Sequence, residues 1–493
     1  MSDVNHPVLH GKESSDARSG GIPLMLALML PAQLLTISGI AGGAAQPHIV
    51  QYFHTSHIVW FNLATVMVSL FSLPFAVRLG EIYGKRRVML ILAALGIVGD
   101  IVSAIAPTFI VLILGRAIAG LYGPIVALVP ACIRDCFPAK RVSMAYGVVM
   151  GSIGIVVLVS PVVVGRIIDS FGWRGTMWLL TGLTVIAIGM IALMPETPRR
   201  ARFSSEFDWA GGILLGIGVS ALVYGGGNFY NLGWGSLRTF GPLLVGALAL
   251  IALVPVELRV ASPIVDVRML ARRGIAVVIV TAGFVQFAFI VSPLVLSFIA
   301  QYPKIPMVSD GFGWTATHYA FVGIPAGVAT VAAGVVTGVL LKHVGPRLLW
   351  LAGSTLLVVG LLAFSEYHYD TMQIVISSVL VGFAGGIVMA CGAAMVVSVV
   401  TEDEQATVNG IAYLALQVVG GFCYQLLFAA LASHQVVMQG VPFYLDAAYI
   451  NSYRLLVGVA GIGLLMAFLL PRLKRPSVAL ESSASEGTPV QAA

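Results

Sequence analysis

Hydrophobic positions along this chain gather into long runs of about 20 residues, the length a helix needs to cross a hydrocarbon core of roughly 30 Å. Charges, Gly/Pro clusters and turn residues bound the runs. Fourteen are predicted, over 22–46, 58–79, 88–106, 108–131, 143–168, 175–194, 209–227, 239–257, 275–300, 318–341, 348–365, 373–399, 407–432 and 453–470. An even number of crossings places both chain ends on one side, and the basic residues select it. Of the 27 Lys and Arg residues, Arg166, Arg174, Arg238, Lys304 and Arg454 fall at outer ends and Arg116 within a span, which leaves 21 on the N-terminal side. Positive charge concentrates on the cytoplasmic side of membrane proteins, so both termini are expected in the cytoplasm. Trp173, Trp234 and Trp314 sit near the outer ends, where interfacial aromatics belong.

Composition agrees with a lipid solvent: 58% of the 493 residues are hydrophobic, 10% are charged and the mean hydropathy is +0.97. The 55 glycines and 24 prolines then read as close helix packing and bends rather than loops. The net charge of +6 lies in short loops between apolar runs, so it reports topology and not nucleic acid binding. Four cysteines are too few for a disulfide framework and are expected to be free thiols. Cys132 and Cys136 share a helix face, but no histidine or further cysteine accompanies them, so no metal site is expected. No cofactor is implied. The first apolar run is longer than a signal sequence and many spans follow it, so it is expected to be an uncleaved helix. The polar segments 1–21 and 472–493 are expected to be disordered and cytoplasmic. The absence of a Gly-Lys-Ser/Thr phosphate loop argues against an ATP-driven pump, and no Ser/His/Asp or Cys/His set is legible within the spans.

Two loops repeat one pattern. Between the second and third spans the chain reads Arg78-Leu79-Gly80-Glu81-Ile82-Tyr83-Gly84-Lys85-Arg86-Arg87; between the tenth and eleventh it reads Gly338-Val339-Leu340-Leu341-Lys342-His343-Val344-Gly345-Pro346-Arg347. Both are short and basic and turn on a glycine. The pair resembles the two copies of the Gly-x-Leu-x-Asp-x-x-Gly-Arg-Arg loop of the major facilitator superfamily, with Val77 at the first glycine, Glu81 at the aspartate, Ile82 at a usual arginine and Lys342 at the second acid. In the fourth span Gly115-Arg116-Ala117-Ile118-Ala119-Gly120 resembles the family's Arg-x-x-x-Gly pattern. Gly147, Gly151, Gly154, Pro161 and Gly165 resemble its antiporter motif, with Ser160 and Val164 replacing two glycines, and are read as helix-packing positions. Trp173-Arg174 and Pro195-Glu196-Thr197-Pro198 also look like family loop features. The two spans between the halves, and Ser262 to Leu270 after them, resemble the fourteen-helix drug:proton antiporter branch.

The resemblance implies an all-α polytopic membrane protein of the major facilitator fold: a bundle over 22–194, a linker with two additional helices over 195–274 and a second bundle over 275–471. It implies secondary active transport, with proton-coupled efflux of hydrophobic or amphipathic organic compounds as the leading reading. A facilitator or importer without proton antiport is the alternative, and a non-transporting receptor or scaffold a remote one. The expected partners are a small organic substrate, protons as the coupling ion and membrane lipid; an outer partner protein is left open.

Ionisable groups inside a bilayer are costly and point to function. Asp100 and Arg116 lie about 9 and 12 Å below the outer ends of their spans at 1.5 Å per residue. Adjacent antiparallel helices could bring them together, either as a proton-coupling pair or as a structural ion pair. Glu81 and Arg86 are gating candidates, with headgroup anchoring as the bland alternative. The antiporter branch carries an aspartate in its first span, in the pattern Asp-x-Thr-Ile-Val-Asn-Val-Ala-Leu-Pro; anchored on Pro47, this chain has Ser38 at that place and Gly43 at the asparagine. Gln33, Ser38, Gln46, Asn62, Tyr122, Gln286, Tyr413 and Gln417 are candidates to line an apolar cavity or simply to bridge helices. His48, His54, His57 and His318 are expected to be solvated.

Overall fold

The computed structural model describes residues 21–197, 208–232, 235–260, 267–270, 272–399 and 405–470. Apart from Gly21, the two tails expected to be disordered lie outside the described residues, as do 198–207, 233–234 with Trp234, and 262–266 of the branch-like loop. The helices are α1 Ile22–Phe53, α2 Val59–Tyr83, α3 Lys85–Ala104, α4 Phe109–Ala119, α5 Ile125–Cys136, α6 Ala139–Gly151, α7 Ile153–Ala192, α8 Trp209–Leu232 and α9 Leu237–Glu257. There follow α10 Val267–Leu270, α11 Arg273–Gln301, α12 Ala316–Val344, α13 Pro346–Glu366, α14 Thr371–Val399, α15 Gln405–Ala432 and α16 Asp446–Ala467. Two small antiparallel hairpins, β1 Lys304–Ile305 with β2 Ser309–Asp310 and β3 Gln435–Met438 with β4 Val441–Tyr444, cap one end.

Among the described residues, 13 helices are long and apolar enough to cross a membrane. One of them, Met144–Ala192, is 49 residues long. At 1.5 Å per residue it would span roughly 70 Å, more than twice a hydrocarbon core. Gly172 breaks it with φ +68° and ψ −171°, a backbone state open to glycine alone, so the expected runs 143–168 and 175–194 are two rods joined without a loop. The boundaries need further correction. The first helix continues past residue 46 to Phe53, because His48 meets Gln301 of α11 and the Phe53 ring packs on Phe109 and Trp173. The fourth is interrupted by a 3-10 turn at Gly120–Tyr122 before Pro124 starts α5.

The sequence repeat is visible in the backbone. Gly84 ends α2 and starts α3 with φ +97° and ψ 136°; Gly345 ends α12 and starts α13 with φ +85° and ψ 153°. A side chain is strained in either conformation, and a Cβ on Gly84 would also collide with the Glu196 carboxylate. Gly84→Ala should therefore cost about 1–3 kcal/mol, read as a lower melting temperature in detergent. Gly39→Ala, where a Cβ meets nothing within 4 Å, should leave it unchanged.

The element ends at Ile22 and Ala467 define the near end of the molecule, and His54 the far end. Helices α1 and α11 run through the centre; every residue of α11 from Leu294 to Gln301 is buried. The inserted pair α8–α9 lies at the edge. Leu237, Phe240, Leu244, Leu248 and Ile251 leave much of α9 exposed as an apolar face, which in a membrane meets lipid. Gly218, Gly225 and Gly246 let the two helices touch, and Gly216 and Gly226 seat α8 against Phe71 of α2 and Phe422 of α15.

Candidate transport site

The centre of the first bundle is organised by a glycine crossing. A Cβ on Gly99 would strike the backbone of Ala119 and come within 2.6 Å of the Gly115 carbonyl; one on Gly115 would lie 2.8 Å from the Gly99 carbonyl. Helices α3 and α4 therefore meet backbone to backbone, and the residues that follow these glycines, Asp100 and Arg116, are carried into contact. Arg116 Nη1 lies 3.4 Å from Asp100 Oδ1, with the two side chains 1% and 0% exposed. The guanidinium also donates to Ser38 Oγ at 2.6 Å and stacks 4.9 Å from the ring centroid of Phe61. Thr65 Oγ1 donates to the Arg116 carbonyl at 3.0 Å, satisfying backbone polarity where α4 gives way to the 3-10 turn.

The pair thus joins α1, α2, α3 and α4, and the two residues singled out for depth are in contact. Ser38, the residue that stands where an acid was expected, binds the same guanidinium. Three atoms here are fully buried without a hydrogen-bond partner: Asp100 Oδ2, Arg116 Nε and Tyr122 Oη. Arg116 holds the Asp100 carboxylate through Oδ1, and the Thr184 side chain also faces that carboxylate.

The near end is built from charges. Arg78 pairs with Glu81 at 2.8 Å, Arg87 with Glu196 at 3.3 Å, and Lys85 Nζ donates to the buried carboxylate of Asp135. The Lys85 amide donates to Thr197 Oγ1 at 2.7 Å and Arg86 donates to the Ala192 carbonyl. Glu81 and Arg86 thus bind within the first bundle. The loop docks on the end of the sixth span and on Glu196-Thr197. The Lys85–Asp135 pair was not anticipated; an acid at the inner end of a span opposite a basic loop was its signal.

The far end carries a seam between the bundles. Tyr424 Oη of α15 accepts from Gln46 Nε2 of α1 and Asn62 Nδ2 of α2, both at 2.8 Å. Gln301 of α11 meets the His48 ring at 3.0 Å and donates to the Ala44 carbonyl at 3.2 Å. Asp169 of α7 accepts from the first amides of α12, Ala316 at 2.9 Å and Thr317 at 2.8 Å, a favourable place for a carboxylate. These hydrogen bonds bridge the two bundles at the far face. His48, expected in a solvated loop, is a half-buried helical residue of this seam because α1 extends to Phe53.

The remaining candidates divide. Gln33, Gln46 and Tyr122 are buried at 4%, 0% and 1% exposure, and of these Gln46 bridges to α15 through Tyr424. Gln286 is half-buried, and a Cβ on Gly392 would collide with its amide; Gln417 is half-buried on α15; the Tyr413 side chain is outside the described residues. A Cβ on Gly147 or Gly151 meets nothing within 4 Å, which corrects their reading as packing positions: α6 stands clear of other backbones there. Gly165 does pack, since its Cβ would lie 2.7 Å from the Ala316 carbonyl, and Gly154 lies 3.5 Å from Val331. Pro161 sits within α7 between these two contacts. Tyr424, Gln301 and Asp169 were missed, because a residue's partner across two bundles leaves no local pattern.

A family model described as Major Facilitator Superfamily matches residues 29–302 and 295–492. The chain belongs to the Major Facilitator Superfamily. Among curated relatives it is 24% identical over 431 residues to the tetracenomycin C resistance and export protein of Streptomyces glaucescens, covering 85% of this chain and 78% of that one. It is 28% identical over 306 residues to the multidrug resistance protein Stp of Mycobacterium tuberculosis, covering 61% of this chain but only 55% of that one. Among solved structures, the nucleoside transporter NupG superposes with a TM-score of 0.63 at 12% identity over 91% of this chain and 99% of the other. A D-xylose-proton symporter does so with 0.62 at 15% over 92% and 98%. The fold is the superfamily's, two bundles plus extra helices. As a member, the chain is a polytopic secondary-active transporter of small organic solutes and not an enzyme.

Proposed function

We propose that this transporter is a proton-coupled exporter of hydrophobic or amphipathic organic compounds, of the fourteen-helix drug:proton antiporter branch, in the plasma or inner membrane with both termini cytoplasmic. The observation that carries the reading is the buried Asp100–Arg116 pair tied to Ser38. Where the branch has an acid on the first span, this chain sets a hydroxyl against the guanidinium and supplies the carboxylate from the third. The charge is moved, not lost. That one relative is a tetracenomycin C resistance and export protein and the other a multidrug resistance protein supports efflux.

In this mechanism the segments 22–194 and 275–471 are the moving bundles and 195–274 a peripheral linker. The far seam is the outer gate. A proton on Asp100 removes the counter-charge of Arg116, which then holds only Ser38 and the Phe61 ring, and the rearranged network favours the other state. Glu81 and Arg86 hold the near-end loop against the first bundle while the outer gate is shut. Gln286, half-buried in the second bundle, offers an uncharged hydrogen bond to an organic solute.

The second reading, a facilitator or importer without antiport, is favoured by Ser38 itself, since no carboxylate stands on the first span. One experiment separates them. Proteoliposomes with a defined pH gradient are loaded with ethidium or another fluorescent amphipathic drug, and proton and drug fluxes are recorded together. Wild type is expected to exchange the two, and Asp100→Asn to lose proton flux by at least tenfold. Drug movement without proton movement in wild type would establish the second reading, and undiminished antiport in Asp100→Asn would remove the carboxylate from the mechanism.

A further inference from the structure

The ion pair and the outer seam are joined by two helix faces. On α1, Ser38, Gly42 and Gln46 are spaced four apart and so stand on one face. Ser38 accepts from Arg116, Gly42 abuts α2, and Gln46 donates to Tyr424. A Cβ on Gly42 would lie 2.8 Å from Phe61 Cε1 and 3.0 Å from Asn62 Oδ1, so α1 lies directly against these two neighbours. On α2, Phe61 presents its ring to Arg116 while Asn62 donates to Tyr424. Tyr424 therefore takes one hydrogen bond from each helix, and each helix is held by Arg116 roughly two turns away or less. Phe61 is fully buried, so it cannot shift without moving what it touches.

We infer that Phe61 is a positioning residue that transmits the state of the Asp100–Arg116 pair to the outer gate, with Asn62 and Tyr424 as its output. When Asp100 no longer holds the guanidinium, Arg116 moves relative to the Phe61 ring. Because Asn62 is the next residue on a rigid helix, its amide leaves the phenol oxygen. The bundles then lose the hydrogen bond that joins α2 to α15 at the far face. This inference rests on the reading of Asp100–Arg116 as the coupling pair, but its test reads the gate and not the proton.

Spin labels at Phe171 and Met307, 75% and 90% exposed and one on each bundle at the far end, report gate opening through their distance distribution. The full chain is used in lipid nanodiscs, with the four native cysteines replaced by alanine. Asp100→Asn is expected to change the open-to-closed ratio at least fivefold. The change should fall below twofold when Tyr424→Phe is also present, and likewise in a Phe61→Leu background. Phe61→Tyr, which keeps the aromatic face, should restore it. Melting temperature and monodispersity of each variant separate this result from misfolding, and Phe61→Met, which fills a similar volume without an aromatic face, should behave as Phe61→Leu does; full gate movement in Phe61→Met would reduce the ring to space filling and overturn the inference. An Asp100→Asn effect of full size in Phe61→Leu or Tyr424→Phe, or no effect in the Phe61 protein, overturns the inference. Proton flux in the same variants keeps the readings apart. Loss of flux in Asp100→Asn without gate movement defeats the transmission alone, whereas gate movement with undiminished flux defeats the proton reading alone.

Discussion

Arg116→Ala is expected to abolish coupled transport and to cost about 3–5 kcal/mol of stability, the range for removing one partner of a buried ion pair. The guanidinium has three partners, Asp100, Ser38 and Phe61, at 1% exposure. Its loss strands a carboxylate that is 0% exposed, so the acid must be neutralised or the helices must part. Arg116→Lys should rescue folding better than transport. An ammonium is a compact charge and cannot span a carboxylate, a hydroxyl and a ring face as a planar fork does. Asp100→Asn combined with Arg116→Gln should recover most of the stability, because no unpaired charge remains, but none of the proton flux. Melting temperature in detergent and paired flux measurements check both. A thermally normal Arg116→Ala that still exchanges protons for drug would reduce the pair to an incidental contact.

The second large effect is expected from Gly99→Val. The added carbons would meet the Ala119 amide and the Gly115 carbonyl, which are backbone atoms and have no rotamer by which to yield. Helices α3 and α4 must separate, at a cost of about 1–3 kcal/mol or more for overpacking. The separation acts on function beyond its effect on stability, because the crossing is what holds Asp100 and Arg116 at 3.4 Å. Transport should fall further than the melting temperature would suggest. Gly182→Val is the control: a Cβ there meets nothing within 4 Å, and both readouts should stay near wild type. A Gly99→Val protein with normal flux would mean that the crossing does not set the pair.

These two residues also illustrate what sequence reading can reach. Asp100 and Arg116 stood out because a charge in an apolar run is costly and therefore conspicuous. Gly84 and Gly345 stood out because a basic turn occurred twice. Gly99 did not stand out: one of 55 glycines becomes informative only when its neighbour is seen. Gly147 and Gly151 erred in the opposite direction, since a glycine pattern marks where close approach is possible without stating that a helix approaches. His48 was misplaced because a hydropathy run ends where side chains turn polar, whereas α1 runs on to Phe53, whose ring packs on Phe109 and Trp173.

The sequence alone determined the solvent, the polytopic succession of long apolar helices, the duplicated loop and the two ionisable groups of the bundle core. Each follows from a local cost, the transfer of side chains and backbone into lipid, which is borne residue by residue and is written into composition and spacing. Tertiary structure decided the partners: Ser38 for Arg116, Asp135 for Lys85, the amides of α12 for Asp169, and Tyr424 for Gln46 and Asn62. Hydrogen bonds and ion pairs between distant segments depend on helix crossing and on which bundle faces meet. Gln46 and Tyr424 are 378 positions apart, and no local cost links them until the two bundles close on each other at the far face.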